Sequence, residues 1–174
     1  MMPVAETGAP AMKPILTVAV VAALAVTALP AFAQNAGQIA RVRGGASCPG
    51  CNLFQAALSG LEARGLNLSG ARLRQADLSL VVMNRTRFTN ADLRDVEAYG
   101  GVFSSSNFSG ANLTNASFVG AYLEGASFSG ATLTGANFSG ASLARASGLT
   151  QSRLNQACGD EATRLPGGLS IPHC

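Results

Sequence analysis

Charge is scarce in this chain. Only 12% of its 174 residues are Asp, Glu, Lys or Arg, about half the usual share. Lysine occurs once, at Lys13, histidine once, at His173, and tryptophan not at all. A net charge of +3 is too small to predict nucleic-acid binding. One His and four Cys leave little material for a metal centre or a Ser-His-Asp arrangement. We therefore expect no catalytic, cofactor-binding or metal-binding residues, and neither a small-molecule substrate nor a nucleic-acid partner. The apolar and cysteine share of 48% excludes a disordered, charge-rich tail.

Long apolar runs are also lacking, with one exception. Ile15 to Leu29 reads ILTVAVVAALAVTAL, preceded by Lys13 and followed by Pro30-Ala31-Phe32-Ala33. A basic flank, a short apolar run and a small-x-small site predict a secretory signal peptide over 1–33, cut after Ala33. The run falls short of the ~20 residues that span a bilayer, which disfavours a retained anchor. No membrane association is expected after cleavage. Met1 to Ala11 carry no positive charge, so Met12 is the better signal start. The mature chain from Gln34 then holds 11 Arg and no Lys, and is expected to be secreted or periplasmic. In such a compartment cysteines pair.

What is present is a period of five. Every fifth residue from Leu53 to Leu143 is Leu, Phe or Met at seventeen of nineteen positions, Ala63 and Ala98 being the exceptions. Two positions earlier stands a small residue, Ala at 11 of the nineteen. Neither a helix, with period 3.6, nor a plain strand, with period 2, produces this spacing. Ala76-Asp77-Leu78, Ala91-Asp92-Leu93, Ala111-Asn112-Leu113 and Ala136-Asn137-Phe138 match A-(D/N)-L-x-x, so the sequence resembles the pentapeptide-repeat family. That resemblance implies an all-β, right-handed quadrilateral parallel β-helix of nearly five coils over 48–148, each coil holding four pentapeptides. The centre residue and the one two before it point inward, and residues twenty apart stack. Leu61, Leu66, Ala63 and Ala98 depart from the pattern, so the first coil is expected to be less regular.

The ends of a solenoid must be covered. Gln34 to Ser47 is polar and out of register, and reads as a flexible leader. Beyond 148 we expect a C-terminal cap over 149–174. It begins with a short helix at Gln151–Cys158, with Thr150 as N-cap, Leu149 and Leu154 as hydrophobic staple and Gly159 after its end. Cys158 and Cys174 would form a disulfide in this cap. Cys48-Pro-Gly-Cys51 reads as a local staple under the first coil. The competing reading is a thiol–disulfide oxidoreductase, but no thioredoxin-like context surrounds the motif. One zinc shared by all four cysteines is excluded, because nearly five coils at ~4.8 Å each separate the two pairs.

Outward residues are mostly small and polar. Stacking by twenty predicts an ion pair between Arg72 and Asp92 and a basic spot at Arg74 and Arg94. It also lines up Val82, Val102 and Tyr122, with Tyr99 and Val119 around the preceding corner and Leu80 beside them. These six form the candidate partner-binding strip, for an unidentified envelope protein or for self-association. The expected function is an exported, non-catalytic scaffold or protein-binding module. The family resemblance adds another candidate, a DNA mimic that binds gyrase and confers quinolone resistance. Such a protein is strongly acidic and cytoplasmic, unlike this chain.

Overall fold

The computed structural model describes residues 35–174. The signal segment, its cleavage point after Ala33 and both candidate starts lie outside them. From Asn52 to Ser147, single residues pair in parallel with the residue twenty further on. Four such columns run side by side, starting at Asn52 (side one), Ala57 (side two), Glu62 (side three) and Asn67 (side four). Each rung repeats the same two bonds. Leu73 N–H donates to Asp92 O at 2.7 Å, and Asp92 N–H donates to Ala71 O at 2.9 Å. Backbone polar groups are thereby satisfied between coils, leaving side chains free to fill the axis or face solvent.

Corners occur every five residues because the chain makes a tight turn after each central residue. Ala56 N–H, for example, returns to Leu53 O at 3.1 Å. The second central residue of each turn has positive φ, from Gly50 to Gly140 at every fifth position, which is the type II signature. Glycine fills eleven of these nineteen positions and other residues eight, including Gln75, Leu80, Asn90 and Asp95. Each L-residue there accepts a cost of about 1–2 kcal/mol. Among the described residues, only the corner at Arg64–Gly65 lacks an assigned turn, beside the small centre Ala63. That is the irregularity expected of the first coil.

The Asp or Asn before each centre has a structural reason. From Asn52 to Asn137, seven such side chains accept the backbone N–H two residues on, as Asn107 does from Ser109 at 2.8 Å. These Asx turns pin the first central residue of the corner.

All centres from Leu53 to Leu143 are buried, Ala63 and Ala98 included. Phe88, Phe108 and Phe128 stack, with centroids 4.9 and 5.3 Å apart, and Phe118 stacks on Phe138 at 5.6 Å. Gly101 takes an inward small position because the Phe103 ring occupies the space. A Cβ there would lie 2.5 Å from Phe103 Cε2. Thr86 and Ser106 are the two buried polar residues among the described ones. Ser106 Oγ donates to Met83 O at 2.9 Å, whereas Thr86 Oγ1 has no partner among the described residues.

Over the described part of the expected flexible leader 34–47, residues 35–47, the structure corrects that expectation. Ala36–Arg43 forms helix α1, with Asn35 Oδ1 accepting from Gln38 N–H at 3.2 Å. Its Ile39 and Val42 are buried in the core cluster. Two large apolar residues in a mostly small and polar stretch gave too little periodicity to recognise. The helix also satisfies the first coil's free edge. Gln38 Oε1 accepts from Asn52 N–H at 2.6 Å, and Arg43 Nε donates to Ala57 O at 3.0 Å. On side four, Cys48 N–H donates to Asn67 O at 2.9 Å and Ser47 Oγ accepts from Asn67 N–H at 2.8 Å.

The C-terminal helix is shorter than the expected Gln151–Cys158. Helix α2 spans Gln151–Leu154, with Leu154 buried and Thr150 at the N-cap position without a side-chain capping bond. It stops because the chain is drawn back into the ladder. Cys158 pairs with Asn137, Arg164 with Ser142, and His173 with Gly159. Gly159 is therefore a rung rather than a helix-ending glycine. Leu165, Leu169 and Ile171 are partly buried against the core, as an extended segment over the last coil requires.

Candidate functional site

The proposed strip is assembled from two adjacent columns. On side three, Val82 pairs with Val102 and Val102 with Tyr122, so their side chains project from the same flat surface. Around the corner from side two, Tyr99 and Val119 occupy first corner positions of successive coils, since Leu80 N–H donates to Tyr99 O and Gly100 N–H to Val119 O. Leu80, Tyr99 and Tyr122 are exposed by 59%, 57% and 56%, and they are the large exposed apolar residues of the described chain. Val82, Val102 and Val119 are half-buried. The structure thus brings all six together, three standing proud and three forming the floor.

Two features of this edge escaped the sequence. Leu80 sits at a left-handed corner, φ 57°, and a Cβ at Gly100 would lie 3.0 Å from its Cδ2. The side-three column also extends beyond the repeats, because Arg164 pairs with Ser142 and joins a shallow hollow with Tyr122, Gly140 and Ala162. The two-residue excess between Ser142 and Arg164 hid that continuation from a strict count of twenty.

Charges are organised locally. Arg72 and Asp92 do stack as neighbouring rungs, but Asp92 pairs instead with Arg94, two residues on, at 2.7 Å. The side-chain hydrogen bond from Arg94 holds the Asp92 carboxyl below its ordinary range. Arg74 turns to Asp95 at 3.3 Å, so the expected basic spot is neutralised. On the edge of side three, Glu124 accepts from the Ser142 hydroxyl at 2.6 Å and from Arg145 Nε at 3.1 Å. Those bonds, Ser142 first, lower its pKa. In the cap, Asp160 accepts the Gly140 N–H at 2.7 Å, which lowers its pKa likewise. A second hollow, lined by Arg64, Asn84, Arg85, Ser104 and Ser105, lies on the opposite edge of side three.

Both cysteine pairs lie at disulfide distance, with Cα atoms 5.5 Å apart for Cys48 and Cys51 and 4.8 Å for Cys158 and Cys174. The first pair is buried, at 2% and 8% exposure, within the cluster that includes Ile39 and Val42 of α1. The second sets Cys174 beside the rung at Cys158.

A parallel coil of twenty residues with four type II corners and an Ala/Leu-Phe interior defines a class, the β-helical solenoids built from pentapeptides. The family profile described as pentapeptide repeats matches in eight copies over residues 51–95 and 106–145, and the chain belongs to this family. Among solved structures it is similar to HetL, a pentapeptide repeat protein involved in heterocyst differentiation regulation from the cyanobacterium Nostoc, at 30% identity and TM-score 0.52. That match covers 68% of this chain and 50% of HetL, so the chain spans half the length of that relative. QnrB1, a plasmid-mediated fluoroquinolone resistance protein, matches at 21% identity and TM-score 0.46 over 73% of this chain and 76% of its own. The pentapeptide repeat protein Rfr23 from the cyanobacterium Cyanothece matches at 21% identity and TM-score 0.35, over 74% of this chain and 97% of its own. The likeness to HetL supports the β-helical solenoid. No curated protein matches the chain.

Proposed function

We propose that this chain is an exported, non-catalytic pentapeptide-repeat scaffold, a rod of nearly five coils that binds a protein partner through the edge formed by Leu80, Val82, Tyr99, Val102, Val119 and Tyr122. The observation that carries the reading is the contiguity of these residues on an otherwise small and polar surface. Single exposed apolar side chains need no explanation, but a rigid strip of them fits an interaction site. Export is supported by the apolar run at 15–29 and by two cysteine pairs at disulfide distance, since such bonds persist in oxidising compartments. Burial of Cys48 and Cys51 beneath α1 favours a staple over a redox centre, which needs an accessible thiolate. A net charge of +3 disfavours a DNA mimic.

The test combines location and capture. Fractionation should find the protein outside the cytoplasm, with Gln34 as its first residue and no free thiols on alkylation. Tyr122→Ser with Val102→Ser should keep the fold and lose the envelope partner. A cytosolic protein with free thiols, or a double variant that retains every partner, refutes the reading.

A further inference from the structure

Side three carries a charge pattern as well as an apolar one. From end to end its outward column is Glu62, Val82, Val102, Tyr122, Ser142, Arg164, each paired in parallel with the next. An acid stands at one end, a base at the other, and the middle holds Val82, Val102 and Tyr122 followed by Ser142. At about 4.8 Å per rung the column is about 24 Å long. Glu62 and Arg164 are both exposed, and neither joins a salt bridge among the described residues. The two charges are too far apart to meet within one molecule.

We propose that the occupant of this surface is a second copy of the same chain, docked antiparallel on side three about a two-fold axis that crosses the column between Val102 and Tyr122. This rests on the reading of the apolar edge as a contact surface, and it specifies the partner. The rotation sets Glu62 opposite Arg164 of the second copy, Val82 opposite Ser142 and Val102 opposite Tyr122. The corner column follows the same operation: Tyr99 meets Val119, and the projecting Leu80 meets Gly140, which has no side chain. A two-fold axis along the rod would instead set Glu62 on Glu62 and Arg164 on Arg164, and like charges directly opposite are unfavourable. These two columns are thus self-complementary in one orientation only, as an isologous interface requires. Its Glu124 side chain is already engaged by Ser142 and Arg145, so no extra acid is left uncompensated beside it.

A single face of this length makes a small interface, so the association is expected to be micromolar or weaker and to depend on concentration. Terminal ion pairs then select orientation more than they add affinity. Sedimentation equilibrium of the purified protein should show a monomer–dimer equilibrium. Glu62→Arg and Arg164→Glu should each weaken it about tenfold or more, through a repulsive pair at both ends. The chain carrying both reversals restores opposite charges at each contact and should dimerise like the wild type. The proposal is overturned by a protein that stays monomeric at all concentrations, by single reversals without effect, or by a double reversal that fails to rescue. If Val102→Ser with Tyr122→Ser loses an envelope partner while charge reversals change nothing, the apolar edge keeps its role and the second copy is excluded.

Discussion

Phe108→Ala removes the ring at the middle of the solenoid. Phe108 is fully buried and stacks on Phe88 at 4.9 Å and Phe128 at 5.3 Å, with edge contacts to Phe103 and Phe118 at 5.9 Å. Truncating a buried Phe to Ala costs about 3–5 kcal/mol through lost transfer energy and the cavity. Aromatic pairs contribute about 0.5–1.5 kcal/mol beyond area. Four such contacts vanish together, and the ladder bonds on either side prevent collapse, so the cost should fall near 5 kcal/mol. Phe108→Leu keeps most of the volume and should cost about 1–2 kcal/mol. Ser109→Ala, one residue outward, loses only a hydroxyl contact to Ser127 at 3.1 Å, worth about 0.5–1 kcal/mol. With no Trp and both tyrosines exposed, urea unfolding is best followed by far-ultraviolet circular dichroism, with the slope checked for constancy. A Phe108→Ala cost below about 1 kcal/mol, or one equal to that of Ser109→Ala, would refute the inward register and the stacked-ring core.

Other substitutions test particular contacts. Gly101→Ala should destabilise by about 1–3 kcal/mol in the same assay, because its Cβ has no room beside Phe103, and Phe103→Leu should reduce that cost. Thr86→Val removes a buried hydroxyl that has no partner among the described residues and should be neutral or stabilising by about 1 kcal/mol; a clear loss in urea unfolding would mean the hydroxyl is bonded. Asp92, Glu124 and Asp160 have pKa values lowered below the ordinary 3.8, 4.5 and 3.8. Their contribution to stability is therefore complete above those values and is lost as pH falls through and below them, which unfolding at about pH 3 against about pH 7 will read. Asp160→Asn should flatten part of that dependence.

The body of this fold was legible because one inward pattern dictates everything. A large residue at each centre and a small one two before it mark the pentapeptide repeat, and the resemblance to that family implies the architecture. The role of the Asp or Asn before each centre was not legible, since only coordinates show Asn107 Oδ1 accepting the Ser109 N–H. The ends were harder. Helix α1 buries only Ile39 and Val42, too few to mark a helix in a polar stretch. Helix α2 was expected to be twice as long because Gly159 resembled a helix stop, while ladder bonds at Cys158 overrode local propensity. The strip was legible from stacking by twenty up to Tyr122. Arg164 was not, because the chain takes two extra residues to return to the same column. The Arg72–Asp92 pairing failed for a local reason, as Arg94 reaches Asp92 around its own corner at lower entropic cost.

Corner spacing also fixes how this chain can change length. Twenty inserted residues would add one storey of about 4.8 Å and leave every side facing as before. Five inserted residues would turn everything downstream by a quarter revolution. Such an insertion after Gly125 would keep the pentapeptide pattern and the buried axis intact, yet carry Arg164 off the side that holds Glu62, Val82 and Val102. Insertions and deletions are therefore filtered by phase as well as by stability, and a surface feature that spans several storeys survives only in steps of a whole coil.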